Sequence, residues 1–531
     1  MKPQAQWLSR SSREHHQDWW WILLLGAGLS TGLALYVEHP SYEDAFYYSL
    51  NGLRISEGRG LTDRAITYFY SEPTELPTAS HDYWMPLSSF LASAGALLHQ
   101  GYGGTRIPFT ILAALTPLLC YVLSGIFLAS RRKRLLVSLL ALLAGPHNAL
   151  WTQPSTFMPF LWCGVASLYF SSRMLLRDSL WSVLGAGCFA GLAHLTRVDG
   201  FLFLVSSLLV LVRQHTSGRG YSLRARLLAA LFLNLGGYLL VMAPWFVRQY
   251  TTFGTPLSPA GLQPILIKDF MEMYSYTTSL ELPAYLVTYT WHDLLGRLQA
   301  ACWSLYHLVL MTTYVLLLPF SIAGAREVFR NPSIGFRWQP VMVYAILLVI
   351  FHAVVTPLQS WMGSSIHSSI VLWPFLIILA MEGFDRILSW IVLRRPHWDQ
   401  RRARVVLPLI FVLGCIGKTL EHGLVDLRCS REFAQLGAFR SYLHEDAVVM
   451  AWYPYAVAYH TGCSVIIPPA EGWMTARTVI RRFGVQYLLV MDAGPDYWKE
   501  LLHLQEKRAD ISLVYQGEML RLYAVTAGSG D

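Results

Sequence analysis

The sequence predicts an α-helical multi-pass membrane protein of about eleven spans, followed by a small C-terminal α/β domain. Three observations lead there. Of the 531 residues, 54% are apolar and only 14% are charged, whereas a soluble domain carries about 25% charged residues. Long apolar runs recur along the first 420 residues. Lys and Arg are spread unevenly among the segments that join those runs. This composition excludes an ordinary soluble enzyme, a disordered chain and a disulfide scaffold. The net charge of +8 is read as a topology signal rather than a nucleic-acid footprint, so no nucleic-acid partner is predicted.

A membrane helix needs roughly 17–25 mostly apolar residues. Such runs fall near 19–37, 107–129, 135–151, 155–172, 180–195, 199–213, 227–247, 301–325, 340–357, 365–384 and 405–420. The first is too long for a signal peptide, and no small-residue cleavage site follows it. With the N-terminus (1–18) cytoplasmic, the inside loops gather 22 of the 41 Lys and Arg residues, Arg131, Arg132, Lys133 and Arg134 among them. The short outside loops near 152–154, 196–198 and 358–364 carry only Arg197. The positive-inside rule then assigns 19–420 to the membrane part and 421–531 to the exterior. The expected location is a bacterial plasma (inner) membrane. Residues 85–99 are also apolar, but Leu87, Phe90, Leu91, Ala94, Leu97 and Leu98 form one stripe. This segment is predicted to lie in the interface. A true short span is the alternative, and it would move Arg131–Arg134 outside.

The first exterior loop, 38–106, holds most of the chemistry. It carries Glu38, Glu43, Asp44, Glu57, Asp63, Glu72, Glu75 and Asp82 against four arginines. After Pro40 the period becomes helical: Phe46, Leu50 and Leu53 share one face, Asp44, Tyr48 and Asn51 the other. The helix is expected to lie on the membrane with Glu43 and Asp44 at its N-terminal end. There the helix dipole lowers a carboxyl pKa. The two acids read as a general-base candidate or as a solvated helix cap. His81 and Asp82, in SHDYWMPL, precede an aromatic pair and a proline. They read as a lipid-phosphate site or as an aromatic-belt anchor. Among polar residues near the spans, His147, Asn148 and Gln153 read as interhelical hydrogen-bonders. His352, Gln359 and His367 are open to a role with donor phosphate or acceptor.

The order of these features resembles the GT-C fold of membrane glycosyltransferases, which includes protein O-mannosyltransferases and aminoarabinose transferases. The residues that carry the resemblance are the acidic pair Glu43–Asp44, E-G-R-G (57–60), H-D-Y-W-M-P (81–86), L-T-R-V-D-G (195–200) and A-P-W-F-V-R-Q-Y-T-T-F-G-T-P (243–256). It covers roughly residues 19–256. The resemblance implies a polyprenyl-phosphate sugar as donor and a lipid, glycan or protein hydroxyl as acceptor. It implies that Asp44 or Glu43 is the catalytic base, with Asp44 favoured. It places His81 at the donor phosphate, Asp199 in the acidic position of the family's TRPEG-like turn (Thr196–Gly200), and Arg248 near the cavity. One departure stands out: WTQPST (151–156) lacks the carboxylate that relatives commonly carry in the second exterior loop.

The residue chemistry agrees with that implication. A carboxylate can take the proton of an acceptor hydroxyl. A departing lipid monophosphate needs cationic donors, for which His81, Arg197 and Arg248 are candidates. Direct attack predicts inversion. Asp82 and Tyr48 complete the expected substrate-binding set. No metal-ligand cluster is visible and no cofactor is predicted, with a divalent metal left open. In the C-terminal part, 447–452, 485–492 and 465–467 read as strands, 473–484 as a helix ending in a glycine, and 511–525 as a hairpin. Cys429 and Cys463, in a polar region, are open to pairing. Two other classes compete: a transporter or flippase of a lipid-linked substrate, and a membrane scaffold.

Overall fold

The computed structural model describes residues 12–143, 148–177, 179–216, 224–260, 263–276, 288–313, 316–395, 397–444, 446–501, 510–517 and 520–526. The chain is mostly helical. Among the described residues six helices are long and apolar enough to cross a membrane by length and composition: Gln17–Tyr36, Tyr102–Phe127, Val198–Thr216, Arg224–Phe253, Ile334–Val355 and Gln400–Ser441. Shorter or more polar helices pack among them, namely Arg131–Leu143, Phe157–Arg177, Leu180–Thr196 and Trp373–Arg394. The run expected over 301–325 is instead two helices, Trp291–Thr313 and Leu318–Arg330. The second opens at Pro319, whose fixed φ suits the first helical turn. Likewise, the run at 365–384 is a short α-helix (Ser365–Ser369), a 3₁₀ turn (Ile370–Leu372) and a long helix from Trp373. Before it the chain turns irregularly through Gly363, at φ 113°.

The first loop opens with helix α1 (Glu43–Ser56), followed by strands β1 (Thr62–Asp63), β2 (Ala65–Ile66) and β3 (Thr78–Ala79), and then helix α2 (Leu87–Leu98). The helix α1 appears at the expected place, but its setting differs. It is walled in on nearly every side, with Phe46, Tyr47, Tyr48 and Asn51 all buried. Its apolar face meets protein rather than lipid: Phe46 packs edge-on against Phe433, Tyr459 and His460. Only the layer contributed by distant chain, invisible to a local period, makes that difference. Helix α2 turns its large residues outward, with Phe90, Leu97 and Leu98 exposed. Its small face, Ser88, Ser89, Ala92 and Ser93, is buried. This is the arrangement expected of a helix with one lipid-facing stripe.

The two helices touch closely at Gly52. A β-carbon there would stand 2.6 Å from Ala92 Cβ and 3.0 Å from the Ala92 carbonyl carbon. Gly52→Val is therefore expected to lower stability by about 1–3 kcal/mol through overpacking. A thermal unfolding midpoint equal to that of the wild type in the same detergent would contradict this close approach.

Beyond the long helix Gln400–Ala434 the chain builds most of a six-stranded sheet. Strands β4 (Val448–Ala451), β5 (Ser464–Ile466), β6 (Tyr487–Met491), β7 (Ile511–Gln516) and β8 (Leu520–Val525) take the order β2-β5-β4-β6-β8-β7. Neighbours run parallel from β2 to β6, and β8 and β7 close the sheet antiparallel. The parallel strands are apolar along their length, because helices α3 (Pro454–Thr461) and α4 (Trp473–Phe483) help to cover the sheet. Helix α4 ends at Gly484, left-handed at φ 62°. The edge strand β2 comes from the first loop, pairing Ala65 with Val465 and Ile66 with Ile466. The loop and the sheet thus share one core, which no local pattern at 65–66 announced.

Several expectations resolve here. Asn148 donates to Thr419 Oγ1 at 2.9 Å, and Gln153 donates to Ser41 Oγ at 2.8 Å, as bonds between elements. His147 lies outside the described residues. Cys429 and Cys463 do not pair: both are free, and Cys463 Sγ points to the His444 carbonyl at 3.5 Å.

Candidate active site

A cavity of about 770 Å³ opens where α1, the turn at 197–199, the segment 356–367 and the stretches 256–260 and 265–273 meet. Its acids and its arginine come from two short pieces of chain. The first is the opening turn of α1. Tyr42 precedes it with an extended backbone, so Glu43 and Asp44 fall in the first turn. The second is the tight turn after Thr196, where Arg197 and Asp199 face the same space. Gly200 makes that turn possible, since a β-carbon would collide with the Ala193 carbonyl at 2.4 Å.

The two acids have different partners. Glu43 Oε1 accepts the Tyr455 backbone N–H at 2.8 Å, at the start of α3. Glu43 Oε2 is buried with no hydrogen-bond partner placed on it among the described residues. Asp44 Oδ1 accepts the Trp84 indole N–H at 3.2 Å. Burial pushes the Glu43 carboxyl up to about 8, against the pull of the Tyr455 N–H, and the neighbouring Asp44 adds to the rise. Burial also raises Asp44, while the Arg197 guanidinium and the Trp84 N–H oppose it. The expected lowering by the helix dipole is thus overturned, because desolvation of a carboxylate in a closed wall outweighs a half-charge at a helix end.

Arg197 is held from two sides. Its Nε donates to Asp199 Oδ1 at 3.0 Å, and its Nη2 donates to Ser364 Oγ at 2.7 Å. Asp199 Oδ2 stands 3.9 Å from His352 Nε2. Asp199 therefore orients the arginine rather than facing a ligand alone. Tyr48, one turn along α1 from Asp44, also lines the cavity, and its buried hydroxyl has no hydrogen-bond partner among the described residues.

Three expected binding residues lie behind the wall instead. His81 is fully buried, and both ring nitrogens are taken, by Ser80 Oγ at 2.6 Å and Ser89 Oγ at 2.9 Å. Burial, with Arg248 nearby, holds its pKa well below the usual value. A neutral ring with both nitrogens occupied brings no charge to a phosphate. Asp82 accepts from Ser71 Oγ at 2.8 Å. Arg248 donates to the Ser80 carbonyl at 2.8 Å and to Gln249 Oε1 at 2.6 Å, over the faces of Trp245 and Phe253. The reason is local. His81 adopts φ 64°, so the chain reverses there. The motif HDYWMP then delivers Tyr83 and Trp84, not His81 and Asp82, to the cavity.

Sequence reasoning also missed Tyr68 and Thr156, which line the cavity; Thr156 closes the WTQPST segment, noted only for its missing carboxylate. His367 and Gln359, singled out as polar residues at a span turn, do line it. His367 Nδ1 meets Thr156 Oγ1 at 2.9 Å and its ring stacks on Phe157. Among the described residues no group of three or more His, Cys, Asp and Glu is placed to hold a metal ion.

Fold and site together describe a chain with several helices long and apolar enough to cross a membrane and an acid-and-arginine cavity, and its fold is similar to that of GT-C proteins. No protein-family model and no curated protein matches the chain. Solved structures do. ArnT from Cupriavidus metallidurans in the apo state matches with TM-score 0.57 at 14% identity, over 96% of this chain and 98% of that one. ArnT bound to undecaprenyl phosphate matches with TM-score 0.55 at 15% identity over the same shares. The archaeal oligosaccharyltransferase AglB from Archaeoglobus fulgidus, in complex with an inhibitory peptide and a dolichol-phosphate, matches with TM-score 0.56 at 14% identity. That match covers 90% of this chain and 70% of AglB.

Proposed function

We propose that this chain is a glycosyltransferase that moves a hexosyl or pentosyl group from a polyprenyl-phosphate donor to an acceptor hydroxyl, with inversion. The acceptor is a lipid, a glycan or a protein. The reaction lies at the exterior face of a bacterial plasma membrane, with eleven spans, the N-terminus cytoplasmic and the sheet-bearing C-terminal part outside. The observation that carries this reading is the pairing of Asp44 and Arg197 across one cavity in a GT-C fold. The neighbours' ligands, undecaprenyl phosphate and dolichol-phosphate, support the donor class.

In this reading Asp44 Oδ2 takes the acceptor proton as the acceptor oxygen bonds to the anomeric carbon. The bond from that carbon to the phosphate oxygen breaks on the opposite face. The departing phosphate carries the electron pair to Arg197, whose fixed guanidinium meets the growing charge. Glu43, with a pKa near 8, keeps its proton at neutral pH and offers an O–H to a sugar oxygen. The proposed base is therefore Asp44.

A pH profile follows. Turnover falls on the acid side as Asp44 gains its proton, at a pH above the usual aspartate value. It falls again above about 8, where ionised Glu43 sets a second negative charge beside Asp44. In Glu43→Gln the alkaline fall is expected to disappear while activity at neutral pH persists. An unchanged alkaline limb in that variant would remove Glu43 from the account.

Purified protein in lipid nanodiscs, given labelled polyprenyl-phosphate sugars and read by product NMR, tests the stereochemistry. Inversion at the anomeric carbon is expected, and retention would exclude direct attack. A donor that binds tightly yet never turns over, but crosses the bilayer in proteoliposomes, would favour the flippase reading.

A further inference from the structure

Asp44 makes one hydrogen bond among the described residues, the 3.2 Å contact from the Trp84 indole N–H to Oδ1. A short side chain at the first turn of a helix has several open rotamers, and Arg197 attracts it from across the cavity. Trp84 is the group that decides between them, and Trp84 is itself clamped. Its ring stacks on Tyr47 at 4.4 Å and 26°. Tyr455 meets it edge-on at 5.4 Å, and Tyr83 at 5.0 Å. Behind it, Arg248 and Gln249 hold the Ser80 and His81 carbonyls, fixing the reversed backbone that aims the indole.

We propose that Trp84 is the positioning residue of Asp44: its N–H fixes Oδ1 so that Oδ2 faces the reacting atoms. Helix α3 takes part in this clamp through Tyr455, which contributes a ring to Trp84 and a backbone N–H to Glu43. This inference rests on Asp44 being the base. The hydrogen bond also favours the ionised carboxyl, against burial. The other groups facing Asp44 are Arg197, Glu43, Tyr42, Tyr48, Tyr68 and Tyr83. Trp84→Phe alters none of them.

The test is an infrared pH titration of the Asp44 carboxyl in the full chain in lipid nanodiscs, the band being identified by its loss in Asp44→Asn. Trp84→Phe is expected to raise the midpoint by about one pH unit. With a donor that the wild type uses, it should lower kcat by about tenfold or more, leave KM nearly unchanged and shift the acid limb upward. If Trp84→Phe fails to fold, benzothienylalanine at position 84 keeps the ring shape and removes only the N–H. A midpoint unchanged in the folded replacement overturns the proposal, as does a raised midpoint with an unaltered kcat. A raised midpoint in a chain that uses no donor leaves Trp84 holding Asp44 and refutes only the base assignment.

Discussion

Asp44→Asn is expected to lower sugar transfer by about 10²–10⁴-fold, the range for a lost general base. The substitution keeps the shape of the side chain and its acceptor oxygen for Trp84, so the thermal midpoint should move little. What it removes is the carboxylate that takes the acceptor proton in the proposed scheme. Glu43→Gln in parallel should retain most of the activity near pH 7, because Glu43 already carries its proton there. If the two variants exchanged these outcomes, the assignment of roles within the pair would be reversed.

Arg197→Gln is expected to produce a comparable loss for a different reason. It withdraws the charge that meets the departing phosphate, an effect of about 10²–10³-fold where one fixed donor is removed. It also strands Asp199, which is 97% buried and gives its Oδ1 to the Arg197 Nε. Leaving a buried charge without its partner costs about 3–5 kcal/mol, so the unfolding midpoint should fall as well. Arg197→Lys separates the two effects. It restores a positive charge beside Asp199 without the forked geometry that also reaches Ser364. It should recover stability more than turnover. Equal recovery of both would indicate that Arg197 acts only as a strut.

Much of this architecture was legible because its signals are local. The acidic pair opening a helix, the turn around Arg197–Asp199 and the glycine-ended helix 473–484 each declare themselves within a few residues, and each occurs. The strands expected at 447–452, 465–467 and 485–492 are present as β4, β5 and β6. The misread features depend on partners distant in sequence. The period of α1 was read correctly as amphipathic, yet its apolar face meets Phe433, Tyr459 and His460 rather than lipid. Two residues at 65–66 are too few to signal a strand, and β2 exists because β5 offers an edge.

His81 shows a subtler failure. The motif was the right one, but a histidine at φ 64° reverses the chain, and that reversal exchanges which half of the motif faces the cavity. His81, Asp82 and Arg248 became supports for the wall, while Tyr83 and Trp84 became the wall itself. The pKa expectation failed for a related reason. A helix dipole can be read from sequence, but the desolvation that opposes it requires knowing what covers the carboxyl.

The most direct measurement is release of labelled sugar from a panel of polyprenyl-phosphate donors by the purified chain in lipid nanodiscs, for wild type, Glu43→Gln and Asp44→Asn. The account predicts that the wild type and Glu43→Gln consume the same donor at neutral pH and that Asp44→Asn does not. Turnover that survives in Asp44→Asn, or a wild type that neither binds nor consumes any donor in the panel, would contradict it.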